Sequence, residues 1–221
     1  MKTFSTLFFI VISTLFIFSC KKNSDDNPDT PRKIQDLIPD SILNKMKTLG
    51  MPIYNGSTPP DIQRIYLVTP FGLAATNIPN DRTIGSLFAD YSVKFYSQDN
   101  GKLSVKVDYK NGPESGTGLG SIISGSDSMF TVAAKITGLH NNSDSASLVQ
   151  VISGTLTSGA IHNIRVAFFM LNNYGNASGY WIQSGQGRIL NDVDGNSPVV
   201  GSLKSASNKN KDFEWKSAVE K

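Results

Sequence analysis

Apolar and polar residues alternate along most of this chain. Leu103, Val105, Val107 and Tyr109 are separated by Lys102, Ser104, Lys106, Asp108 and Lys110. Phe130, Val132, Ala134 and Ile136 alternate in the same way with Thr131, Ala133, Lys135 and Thr137. A period of two predicts strands with one face toward a core and one toward water. Val93 and Phe95 repeat the pattern before Asp99-Asn100-Gly101, a hairpin-type turn. Further strands are predicted over 63–69, 117–124, 146–156, 161–172 and 180–190. Gly-rich or Asn-rich joints separate most of them, as at 138–143, 158–159 and 172–179. The stretch 161–172 is apolar on both sides. Ile164, Val166, Phe168 and Met170 share one face, and Ala167, Phe169 and Leu171 share the other. Both Phe168 and Phe169 are therefore expected to be buried, one in the main core and one beneath a cover.

That cover is predicted from a different period. Ile42, Leu43, Met46 and Leu49 fall at helical spacing, Pro39 suits a first turn and Gly50 a last, so a helix is expected over 38–50. A short helical turn is expected near 83–88. The resulting fold class is mainly β, with about eight sequential strands joined by gaps too short for parallel crossovers. An antiparallel up-and-down β-barrel with an N-terminal helix is the expected architecture, and a two-sheet β-sandwich is the alternative.

The first residues follow neither period. Lys2 precedes an apolar run over 7–18, broken only by Ser13 and Thr14, and the run ends at Ile17-Phe18-Ser19-Cys20. About a dozen apolar residues make a signal-peptide core and are too few to span a bilayer. Ile17-Phe18-Ser19-Cys20 resembles a bacterial lipobox. Cys20 is the only cysteine among 221 residues, so no disulfide competes for it. The resemblance implies cleavage before Cys20 and lipidation there, with the membrane as a partner through acyl chains. Residues 1–19 are then a signal peptide and 20–32 a polar tether with two prolines and no large apolar residue. Residues 33–201 form a single β-domain, and 202–221 a charged tail.

Within the tether, Ser24-Asp25-Asp26 resembles the acidic export signal of Bacteroidota surface lipoproteins. It implies an outer-membrane protein facing the cell exterior, with the periplasmic face as the alternative. The segment from Leu49-Gly50-Met51-Pro52 through Pro59-Pro60-Asp61-Ile62 to Tyr66 and Pro70 resembles the opening of uncharacterised lipoproteins of that group. In these a short helix leads into an antiparallel β-domain, and some are similar to lipocalin barrels. This chain lacks a clear Gly-x-Trp signature near its first strand. Asp40-Ser41-Ile42, Asp127-Ser128-Met129 and Asp144-Ser145-Ala146 resemble the O-glycosylation pattern of the same group.

Chemistry is sparse. The formal net charge of +3 is too balanced, and its lysines too mixed with acids, for a nucleic-acid surface. His140 and His162 have no metal spacing, no Gly-x-Ser-x-Gly elbow exists, and glutamate occurs only at 114, 214 and 220. Asp192-Val193-Asp194-Gly195-Asn196 echoes a calcium loop without its sixth-position glycine or twelfth-position glutamate, and is read as a tight turn. No catalytic residue, metal or cofactor is assigned. Tyr180-Trp181, placed at the start of a late strand, and Arg165 and Arg188, placed on strands among uncharged residues, are the candidate ligand contacts. The expected function is a non-enzymatic domain that binds a glycan, small molecule or protein. A glycan-directed hydrolase and a structural or assembly lipoprotein are the alternatives.

Overall fold

The computed structural model describes residues 34–203. Cys20, Ser24, Asp25, Asp26 and residues 204–221 of the predicted tail lie outside the described residues. The N-terminal helix is present in two pieces, α1 (Ile34–Leu37) and α2 (Asp40–Thr48). Pro39 is the reason for the break. Its backbone is extended, and its carbonyl accepts Ile42 N at 2.9 Å and Leu43 N at 3.0 Å, so it caps α2 instead of sitting within the first turn. Gly50, at φ +84°, reverses the chain at the other end. Gly50 N then donates to Lys47 O at 2.9 Å and Met51 N to Met46 O at 3.0 Å, the paired bonds of a Schellman cap.

The remaining elements are β1 (Ile65–Val68), β2 (Phe71–Thr76), β3 (Leu87–Phe88), β4 (Tyr91–Asp99), β5 (Ser104–Asn111), β6 (Glu114–Ser126), β7 (Met129–His140), β8 (Asp144–Leu156), β9 (Ala160–Asn172), β10 (Gly187–Asp192) and β11 (Asn196–Pro198). They form one antiparallel sheet in the order β1-β4-β5-β6-β7-β8-β9-β10-β2-β3, with β11 paired to β9. The sheet is curled into an open half-barrel. Tyr91 on β4 and Phe168 on β9 are five strands apart, a span of about 24 Å if the sheet were flat. Their ring centroids are nevertheless 5.8 Å apart. Next to β11, Val199 bridges to Tyr66, and Val200 N donates to Ile65 O of β1 at 2.8 Å.

Several expectations are corrected here. The sheet has eleven strands, not about eight, and a single sheet replaces the sandwich alternative. The order is not simply up-and-down. β1 and β2 are separated only by Thr69 and Pro70, yet they pair on opposite flanks. The turn expected near 83–88 is not helical. Gly85, at φ +89°, and the bonds Gly85 N to Leu73 O and Leu73 N to Ser86 O hold this segment against β2. The strand expected over 180–190 begins only at Gly187.

The concave face is packed with side chains. Tyr66, Phe71, Phe88, Tyr91, Phe95, Tyr109, Phe130 and Phe168 are all buried there. A ligand cup of lipocalin type is therefore not present between them. The convex face of β6–β10 carries Ile122, Ala133, Val149, Val151, Ala167, Phe169 and Ile189, which pack with Leu43 and Met46 of α2. Beside this apolar patch runs a polar row, Ser124, Thr131 and Ser153, in cross-strand register. The segment after α2 lies over that row. Tyr54 N donates to Thr131 Oγ1, Ser124 Oγ to Tyr54 O and Ser153 Oγ to Pro52 O, all within 2.8 Å.

Candidate functional site

One end of the sheet concentrates its polar interior groups. Tyr91 stands opposite Asn111, Asn111 opposite Glu114, Glu114 opposite His140, and His140 opposite Asp144. Residues in one rung of an antiparallel sheet share a face, so this row closes the concave side where β5–β6 and β7–β8 turn. Glu114 is buried, and the Tyr109 hydroxyl donates to its Oε1. Gly116 makes that contact sterically feasible, because a Cβ there would stand 2.4 Å from Tyr109 Cε1 and 2.6 Å from Ile136 Cγ2. The glycine-rich run at 116–120 lies in strand β6, with a bulge between Leu119 and Ile122.

Burial, reinforced by the Glu114 carboxylate, raises the Tyr109 phenol well above its ordinary range, and burial does the same for Tyr91. Both remain protonated at neutral pH. The Gln150 amide, also buried, lies beside the Tyr91 hydroxyl. Burial also lowers the His140 pKa, against an opposing pull from Asp144, so this imidazole is neutral at pH 7. Its Nε2 accepts from Asn141 Nδ2 at 2.9 Å. Replacing Tyr109 with phenylalanine is expected to cost about 1.5–3 kcal/mol, because it removes a hydroxyl donor from a buried carboxylate. Urea melts of the variant measure this directly.

The loop over 173–186 folds onto the rung. Ser178 Oγ donates to Asp144 Oδ2, and the Tyr180 ring stacks on His140 with centroids 3.4 Å apart. Asn176 clasps Trp181 at both backbone groups, with Oδ1 and Nδ2 bonds of 2.7 Å each. Outside the rung lies a cleft of about 370 Å³. Lys110, Glu114, Ser115, Asn141 and Asn142 line it, with Gly112 and Pro113 forming the turn. Asn141 and Asn142 both have positive φ, 49° and 57°, a backbone that asparagine tolerates better than most residues. The cleft offers the amides of Asn141 and Asn142, the Ser115 hydroxyl and the Lys110 ammonium, while the Glu114 carboxylate is buried behind it against Tyr109. Ser178 is bonded to Asp144 and not to His140, so these three do not form a nucleophile-and-base pair.

The four predicted contacts do not assemble into one site. Arg188 is fully buried and bound to Asp81, through Nε to Oδ2 at 2.9 Å and Nη2 to Oδ1 at 2.6 Å. Its role is structural. Tyr180 and Trp181 lie in a loop, not a strand, and both turn into the core, so neither faces solvent. Arg165 is half-buried on the convex face, across from Ser153 and Asn191. Lys110, Glu114, Asn141 and Asn142 carried no binding signal beyond their place at turns. Their grouping depends on which hairpins share an end of the sheet. The chain matches no protein-family model, and no curated protein or solved structure matches it. No helix among the described residues is long and apolar enough to cross a membrane.

Proposed function

We propose that this chain is an outer-membrane lipoprotein of the Bacteroidota surface type, whose β-domain binds a glycan at the cell exterior. Lipid on Cys20 anchors it, the arm extends to about Arg32, and Ser24-Asp25-Asp26 directs it outward. The half-barrel serves as a rigid scaffold, and recognition belongs to its hairpin end. The observation that carries this reading is the polar cleft of about 370 Å³ beside a filled interior. Its volume lies within the usual range of small-ligand sites. Asparagine amides, with donors and an acceptor on one short side chain, match the paired hydroxyls of a sugar. Binding is favoured over hydrolysis because Glu114 is the one acidic residue among those lining the cleft and its carboxylate is buried against Tyr109, whereas glycosidases use two.

Two measurements test the proposal. Cys20→Ala is expected to release the protein from membranes and abolish labelling by a fatty-acid analogue. An unlabelled, soluble wild type would end the lipoprotein reading. In an immobilised-glycan screen, the Asn141→Ala/Asn142→Ala variant is expected to bind at least about tenfold more weakly than wild type, a loss of about 1.4 kcal/mol. Equal binding by the two proteins would move the site elsewhere.

A further inference from the structure

The convex face is covered on one side only. α2 and α1 pack over the β6–β10 side, whereas β4, β5 and the adjoining parts of β6 and β7 present exposed side chains there. Phe95, Val107 and Ile136 point into the concave core, so the positions that alternate with them point outward. Cross-strand register groups these outward residues. Lys94 stands opposite Asp108, Tyr96 opposite Lys106, and Leu119 opposite Lys135. Thr117, two residues before Leu119, pairs with Asp108, which places Leu119 on the lysine-bearing face. Lys94 and Lys106 both lie over the Tyr96 ring, with Nζ 4.8 Å and 5.9 Å from its centroid.

The face is cationic with apolar residues set into it. Lys106, Lys110 and Lys135 are exposed, and Lys94 is half-buried. Among the described residues, none of Lys94, Lys106 and Lys135 is in an ion pair. The acids on this face are already engaged. Asp108 Oδ1 accepts the Tyr96 hydroxyl at 3.3 Å, and Asp99 Oδ1 accepts Gly101 N and Lys102 N of its own turn. Leu119 is 65% exposed between these lysines. Ile65 and Leu67, half-buried on β1, stand opposite Lys94 and Ser92.

We propose that this face docks on an anionic lipid surface, with Leu119 entering the interface and Lys94, Lys106 and Lys135 reaching lipid phosphates. Charge complementarity calls for an anionic partner. Leu119 favours lipid over a soluble polyanion. A hydrated acidic polymer has no apolar layer to receive the side chain, whereas in a bilayer it sinks below the phosphates and the lysine stems lie along the same layer. The start of the described chain agrees. α1 packs against β6 and β7, so the chain enters the domain beside this face. Residues 20–33 extend to about 50 Å at most, which keeps the domain close to a membrane that holds Cys20. That one argument rests on the lipid-anchor reading, and the others do not. Three lysines and a leucine make a weak contact, so the face orients the domain while the lipid retains it.

Vesicle co-sedimentation of the full mature chain carrying Cys20→Ala, and therefore no acyl chain, tests the face itself. Partitioning is expected to be at least about tenfold stronger on phosphatidylcholine vesicles containing about 30% phosphatidylglycerol than on phosphatidylcholine alone. Lys106→Gln/Lys135→Gln is expected to lower it at least about tenfold, and Leu119→Asn about threefold or more. All three substituted residues are exposed, so both variants are expected to melt with the parent chain. No binding of the parent chain to anionic vesicles overturns the proposal, and so does undiminished binding by the lysine variant. Undiminished binding by Leu119→Asn, with soluble polygalacturonate competing equally well, overturns the lipid assignment in favour of an acidic polymer. Lys110 is left unchanged because it lines the cleft. With no acyl chain and an intact cleft, failure here leaves the proposed function standing, and failure of that function leaves this face.

Discussion

Arg188→Met is expected to destabilise the domain by about 3–5 kcal/mol, because it strands the Asp81 carboxylate in a buried site. The pair is enclosed, with side chains 0% and 1% exposed. Asp81 Oδ2 also accepts Thr76 Oγ1 at 2.7 Å, and Oδ1 accepts Arg82 N at 2.9 Å. The guanidinium carbon lies 5.4 Å from the Phe88 ring centroid, so the cation is held on both sides. Methionine fills similar space without the charge, which separates the electrostatic loss from a packing loss. Burial alone would raise the Asp81 pKa. The bonds and charge of Arg188, with Thr76 and the Arg82 amide, outweigh it and leave the pKa lowered. A carboxylate with a depressed folded pKa stabilises the fold above its unfolded value of about 3.9, and that stability is lost as pH falls through the folded value. Asp81→Asn should therefore show a flatter decline in stability below about pH 4 than wild type does. Urea melts from neutral to acid pH give both the offset and the slope.

Phe168→Ala and Phe169→Ala are each expected to cost about 3–5 kcal/mol, although the two residues are adjacent in sequence. Phe168 faces the concave core, with ring centroids 5.8 Å from Tyr91 and 5.7 Å from Tyr109. Phe169 faces the opposite way, into the cluster containing Leu43 and Met46. Each truncation leaves its own cavity, and either is a large share of the roughly 5–15 kcal/mol that holds a typical domain together. A near-neutral result at Phe169 would mean that α2 does not cover the sheet in solution. A near-neutral result at Phe168 would contradict the filled concave face.

The pair Phe168 and Phe169 was legible because a strand apolar on both faces demands two cores. The alternation of Val105, Val107 and Tyr109, and of Phe130, Val132, Ala134 and Ile136, gave their strands and inward faces equally well. Leu103 was the exception, since its φ of 48° places it in the turn before β5. Phe71 to Thr76 was missed because Gly72, Ala74 and Ala75 dilute the β-branched and aromatic signal that marks a strand. The two-residue β3 and three-residue β11 are too short for any period to show.

Tyr180 and Trp181 read as strand because both are large and apolar, but their burial comes from the clasp of Asn176. Arg188 read as a candidate ligand contact because its partner lies 107 residues away, in a segment that carries no pairing signal. The candidate site was the least legible part. Glu114, His140 and Asp144 become one rung only through the registers of β6, β7 and β8, and those registers depend on long-range pairing.

The most direct test of glycan recognition is an amide-shift map of the full mature protein titrated with a glycan retained in the screen. Shifts confined to residues 110–115, 140–143 and the adjoining 173–186 loop are the predicted result. Shifts centred on the convex face of β4 and β5, or no shifts at saturating glycan, would contradict it.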